Sequence, residues 1–144
     1  MENMIDIYEL TYCDENMVGA IRKLLLQLST SCVEFDINML RYIVESKNST
    51  LYIAEYEGKV CGMLTLAHYK APTGTKLWIE DVVVDEAVRG KSIGRRLVLN
   101  AIERAKEIGG TLMLTSRPSR VAANALYRSI GFEQRETNVY KIKL

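Results

Sequence analysis

The segment Arg89-Gly90-Lys91-Ser92-Ile93-Gly94-Arg95-Arg96 carries four cations among eight residues and no carboxylate. The whole chain sets 19 Lys and Arg against 18 Asp and Glu, so this local excess asks for a reason. Glycines let a backbone approach a ligand closely, and the free amides at a helix N-terminus hydrogen-bond an anion. A phosphate or pyrophosphate is the group such a segment suits. Taken alone, the segment also reads as a solvated basic turn ahead of a helix. Two familiar phosphate loops do not fit it. Gly90-Lys91-Ser92 ends like a P-loop, but that motif needs glycine where Asp85 stands, and a carboxylate there repels a triphosphate. The dinucleotide fingerprint fails as well, because no glycine stands between Gly90 and Gly94 at the required place.

Such a loop works only between a strand and a helix, and its flanks supply both. Residues 77–84 are strongly β-forming, and Val82-Val83-Val84 suits a central strand buried on both faces. After the loop, Ile93, Leu97, Ala101, Ala105 and Ile108 form one helical stripe, which Gly109-Gly110 ends. A strand at 111–115 and a helix at 121–130 follow, the helix stopped by Gly131. Residues 132–135 and 138–143 read as two final strands.

The first half is simpler. Residues 5–10 alternate as a strand does. Asp14 is placed to cap a helix with the stripe Val18, Ile21, Leu24, Leu25 and Leu28. Asp36 opens another helix, which buries Leu40, Ile43 and Val44. Runs 50–56 and 59–69 form a hairpin at Glu57-Gly58, and 70–76, with Pro72 and Gly74, reads as a loop. The expectation is an α/β (mixed α+β) fold with a mostly antiparallel sheet of about six or seven strands and about four helices.

Length and composition narrow the classes. A chain of 144 residues suits one domain, here 1–144, able to bury a core without disulfide or metal staples. The acidic first fifteen residues do not resemble a secretory leader, and no apolar run is long enough for a membrane span. Cys13, Cys32 and Cys61 lack a C-x-x-C pairing, and with one histidine, His68, neither a disulfide framework nor a zinc site is expected. Near-neutral charge argues against non-specific nucleic-acid binding. The expectation is a reduced, cytoplasmic protein with no metal, nucleic-acid or membrane partner.

The strand Trp78-Ile79-Glu80-Asp81-Val82-Val83-Val84, the loop from Arg89 to Gly94 and the segment Asn124-Ala125-Leu126-Tyr127-Arg128-Ser129-Ile130-Gly131-Phe132 together resemble the GCN5-related N-acetyltransferase (GNAT) family. The loop is similar to that family's [RQ]-x-x-G-x-[GA] pyrophosphate motif at Arg89 and Gly94, and the later segment, reading N-x-x-Y-x-x-x-G-F from Asn124 to Phe132, resembles its tyrosine-bearing stretch. Ser92 departs from the pattern, standing where the family usually has glycine. At positive φ a non-glycine residue there costs on the order of 1 kcal/mol; otherwise its hydroxyl is free to cap the helix.

What the resemblance implies is acetyl transfer from acetyl-CoA to an amine by direct attack in a ternary complex, with no metal. Arg89, Gly90, Lys91, Ser92, Ile93, Gly94 and Arg95 would hold the pyrophosphate. The pantetheine arm would lie along Val82, Val83 and Val84 as an added strand, with Asn124 and Tyr127 beside it. An alkylamine is almost wholly protonated at neutral pH, so a base is needed, and Glu80 is the candidate. Tyr127 would protonate the departing thiolate. Arg117, Arg120 and Arg128 are placed to meet an anionic acceptor or the cofactor's 3′-phosphate. The strand also resembles that of glucosamine-6-phosphate N-acetyltransferases; the acceptor stays open among small-molecule and peptide amines. The family commonly dimerises through its last strand, so a homodimer is an open expectation. A non-catalytic acetyl-CoA-binding sensor or scaffold is the alternative reading, and nucleotide binding a third.

Overall fold

Asp14 and Asp36 act as their positions predict. The Asp14 carboxylate accepts the Met17 N–H at 2.7 Å and opens α1 (Glu15–Leu28). The Asp36 carboxylate accepts the Met39 N–H at 2.9 Å and opens α2 (Ile37–Glu45). Each cap satisfies an amide that has no partner within its helix. The computed structural model describes residues 4–29 and 34–144. Cys32 therefore lies outside the described residues, while Cys13 and Cys61 are free thiols.

Among the described residues five strands form one sheet in the order β1-β2-β3-β4-β5. They are β1 (Ile5–Glu9), β2 (Ser49–Tyr56), β3 (Lys59–Ala71), β4 (Gly74–Val84) and β5 (Thr111–Met113). All neighbours are antiparallel except β4 and β5, which run parallel. Helix α3 (Ile93–Ile108) connects those two in the manner of a crossover, and α4 (Val121–Ile130) follows β5. The fold is the expected mixed α/β class.

Each face of the sheet carries one half of the core. Val18, Ile21 and Leu24 of α1 and Leu40 of α2 pack with Leu51, Ile53, Met63 and Val83 on one face. Ile93, Leu97, Val98, Ala101 and Ala105 of α3 and Tyr127 of α4 pack with Leu64, Leu66, Leu77 and Ile79 on the other.

Three expectations need correction. The sheet has fewer strands than the six or seven expected, since residues 132–135 and 138–143 form none. Val139, Tyr140 and Ile142 remain 73–87% exposed, so their alternation finds no surface to pack on. The stretch 70–76 is not a loop. β3 runs on to Ala71 and β4 begins at Gly74, whose φ of +124° lets the chain reverse at once.

Candidate active site

β5 pairs with β4 over three residues only, Lys76 with Thr111, Leu77 with Leu112 and Trp78 with Met113. Beyond Trp78, β4 continues to Val84 with β3 on one side, through Thr65–Glu80, Met63–Val83 and Gly62–Val84. Among the described residues its other edge has no strand partner there. Two parallel strands that meet at one end and part at the other leave a slot, walled on one side by free β4 backbone groups. Such an edge accepts an extended ligand as it would accept a strand.

A bulge shapes that edge. The β3–β4 register shifts between Met63 and Thr65, and Asp81 takes the left-handed conformation at φ +50°. Leu77 and Ile79 face the α3/α4 side before the bulge, and Val82 and Val84 face it afterwards, with Val83 on the α1/α2 side. Strict alternation would have set Asp81 and Val83 with Leu77 and Ile79 instead. Glu80 and Asp81 are both exposed at this point. Partial burial, and secondarily the Asp81 carboxylate, raises the Glu80 pKa above the ordinary carboxylate value.

At the far end of β4 the chain makes a 3-10 turn, Glu86–Val88, and then the basic loop. Gly90 sits at φ +87° and Ser92 at φ 64°, ψ 23°, in the left-handed region. The family's usual glycine at position 92 therefore has a backbone reason, and Ser92 bears the strain. Its hydroxyl does not cap α3, because Ser92 makes no side-chain cap bond. Two helical residues later, Gly94 packs beside Val84 and Leu126, which brings the α3 N-terminus against both β4 and α4. The first amides of α3 thus open at the end of the slot.

The basic side chains are less alike than their sequence suggests. The Lys91 ammonium lies over the Tyr56 ring, 5.1 Å from its centre. The Arg95 guanidinium donates to Ser129 Oγ at 3.3 Å and so reaches across to α4. Arg89 is exposed.

α4 supplies the remaining groups. Tyr127 is 6% exposed, its ring edge-on to Phe132 with centres 6.1 Å apart. The Tyr127 carbonyl accepts from the amides of Gly131 and Phe132, so the Gly131 stop also fixes the aromatic pair. Burial raises the Tyr127 phenol pKa, partly offset by Arg120. Asn124 donates from Nδ2 to the Arg117 carbonyl at 2.9 Å, which ties down the chain between β5 and α4. The Ser116 hydroxyl in that connection is buried without a hydrogen-bond partner. Sequence reasoning did not single it out, since no motif marks it.

Glu80 projects to the α1/α2 side while α4 packs on the opposite face, so the two can serve one reaction only through the slot between β4 and β5. His68 lies on β3 opposite Leu77, its backbone bonded to Asn48. Burial, with Asp85 and Glu55 adding, pushes the Cys61 thiol up to about 11, where it is a poor nucleophile at neutral pH. Among the described residues no group of three or more His, Cys, Asp or Glu is set to hold a metal ion, and no helix is long and apolar enough to cross a membrane.

The parted strands, the bulged edge and the loop at a helix N-terminus place a free strand edge and a basic helix start side by side in one α/β fold. The model of the Acetyltransferase (GNAT) family matches residues 11–132, and the chain belongs to that family. Over 56 residues it is 41% identical to the N-alpha-acetyltransferase RimI of Mycobacterium tuberculosis, a match covering 39% of this chain and 34% of that protein. The chain thus spans about a third of that relative's length. A solved transcriptional regulator from Bacillus halodurans C-125 superposes with a TM-score of 0.82 at 27% identity, covering 97% of this chain and 99% of the other. An aminoglycoside N-acetyltransferase solved in complex with CoA shares the fold, with a TM-score of 0.78 at 16% identity, covering 96% of this chain and 94% of that one.

Proposed function

We propose that this chain is a single-domain N-acetyltransferase that moves the acetyl group of acetyl-CoA to a primary amine by direct attack in a ternary complex. The observation that carries the reading is the unpaired β4 edge at Val82, Val83 and Val84, running from the pairing limit at Trp78 toward the loop at Ser92. Acetyl-CoA supplies an activated acetyl thioester. The residues present fit it. A free strand edge suits the amide-bearing pantetheine arm, and the α3 amides with Arg89, Gly90, Lys91, Ile93 and Gly94 suit a pyrophosphate. Arg95 and Asn124 support the walls of the slot through Ser129 and Arg117.

Glu80, with its raised pKa, takes the proton of the incoming amine directly or through water. Tyr127, whose phenol burial keeps protonated, donates to the departing sulfur. An N–H of the β4 edge steadies the developing oxyanion. The acceptor is a small-molecule or peptide amine, and the exposed carboxylates of Glu80 and Asp81 favour one that arrives as a cation. An aminoglycoside and a peptide α-amine are both in scope, on the names of the neighbours. A homodimer through the exposed stretch 138–144 completes the proposal, supported by the apolar side chains left in solvent there.

Thiol release from acetyl-CoA is the test, with aminoglycosides, polyamines, glucosamine 6-phosphate, amino acids and short peptides as acceptors. Turnover with one class, falling at least tenfold in Tyr127→Phe, is the expected result. CoA binding with no acetylation across the panel, unchanged by that substitution, would favour a sensor or scaffold instead.

A further inference from the structure

The turn that delivers the basic loop is held from outside by one side chain of the opposite layer. Gln27 stands in the last turn of α1, one turn beyond Leu24, which is 2% exposed and fixes the helix against the sheet. The Glu86 N–H donates to Gln27 Oε1 at 2.9 Å, and Gln27 Nε2 donates to Asp85 Oδ1 at 3.3 Å. The same carboxylate oxygen accepts the Ala87 N–H at 3.0 Å, and the Asp85 N–H is tied to the Cys61 carbonyl at 2.7 Å. The amide orientation follows from its partners, since an N–H must meet the carbonyl oxygen and a carboxylate the amino group.

Beyond this clamp the chain runs through Glu86–Val88 into Gly90 at φ +87° and Ser92 at φ 64°. Glycine at positive φ has much backbone freedom to lose on ordering. A loop whose amides must all point at one anion gains affinity when that ordering is in place beforehand.

We infer that Gln27 is a positioning residue for the cofactor loop: it fixes the Asp85–Glu86 turn to α1 and so sets where the amides from Gly90 to Gly94 lie. The inference rests on the proposed reading of that loop as the pyrophosphate site. Gln27 touches neither cofactor nor reacting atoms, so its effect falls on affinity for ligands that carry a pyrophosphate.

The experiment is calorimetric titration of the full chain, and of Gln27→Ala and Gln27→Met, with CoA and with S-acetyl-pantetheine, which lacks the pyrophosphate. Methionine keeps the length and helix propensity of glutamine without its hydrogen bonds. The expected result is a rise of about five- to tenfold in the CoA Kd for both variants. Affinity for S-acetyl-pantetheine and the melting temperature of the free protein should stay at wild-type values. An unchanged CoA Kd in both variants overturns the inference. So does an equal loss for both ligands, or a fall in melting temperature that tracks the affinity, since either marks a merely structural contact. Failure of the unaltered chain to bind CoA instead overturns the cofactor-loop reading, and the inference with it.

Discussion

Trp78 and Met113 are the last residues to face each other across β4 and β5, and the two strands part directly after them. Everything assigned to chemistry lies beyond that pair: Glu80 on the free part of β4, the basic loop at its far end, and Tyr127 on the helix that follows β5. Glu80 and Tyr127 lie on opposite faces, and the proposed reaction requires the parting of β4 and β5 to join them.

Glu80 is expected to act as an ionised base, and burial raises the pH at which it ionises. Turnover should therefore climb with pH through that raised pKa and level off above it. Glu80→Gln should lower kcat/KM about ten- to a hundredfold and abolish the acidic limb. An acidic limb that survives the substitution assigns the proton to another group.

Two glycines should respond to alanine differently. A Cβ on Gly90 meets nothing within 4 Å, so Gly90→Ala has only the cost of φ +87°, about 1–2 kcal/mol. A Cβ on Gly110 would sit 2.4 Å from the Thr75 carbonyl oxygen at φ +120°, so strand and hairpin must move as well. Urea unfolding should rank Gly110→Ala clearly below Gly90→Ala, and equal losses would contradict the structure.

Stability should fall on the alkaline side in part through Cys61. The folded chain binds this thiol's proton more tightly, with a pKa of about 11 against an ordinary 9. The thiol's contribution is whole below the lower value and is lost as pH rises through the upper one. A shift of that size corresponds to about 2–3 kcal/mol. Denaturation curves of Cys61→Ala between those limits should fall less steeply than wild type, although Tyr8, Tyr52 and Tyr127, also raised mainly by burial, still contribute. Parallel slopes would count against the assignment.

Removing residues 138–144 should leave the melting temperature of the remaining fold nearly unchanged, because Val139, Tyr140, Ile142 and Leu144 make so little contact within the chain. The same deletion should convert a dimer to a monomer in sedimentation velocity. If the full and shortened chains sediment alike, the proposed role of the segment fails.

Much of this architecture was legible from residue types. Asp14 and Asp36 before apolar stripes located two helices, and Gly109 and Gly131 marked where α3 and α4 stop. These signals are local: a cap or a left-handed stop needs only its own neighbours. The final strands expected at 132–135 and 138–143 do not form, because alternation states only a preference for a sheet edge, and whether one is available depends on residues distant in sequence. The slot was legible only through the family motifs, since nothing in residues 111–115 tells how far β5 follows β4. The Asp81 bulge and the Gln27 contact with Asp85 gave no sequence signal, one being a matter of register and the other of tertiary placement.

The bulge at Asp81 shelters this strand from one kind of genetic accident. Because the bulge absorbs one additional residue, loss of the Asp81 codon would let regular alternation run on from Ile79, leaving Val82 and Val84 toward α3 and Val83 toward α1; gain or loss of a codon among the three valines would have no such outlet. Conservative exchanges at any of the three valines leave that phase untouched. The edge proposed to carry the ligand is main chain, so the phase of β4 governs it more tightly than the spelling of its side chains.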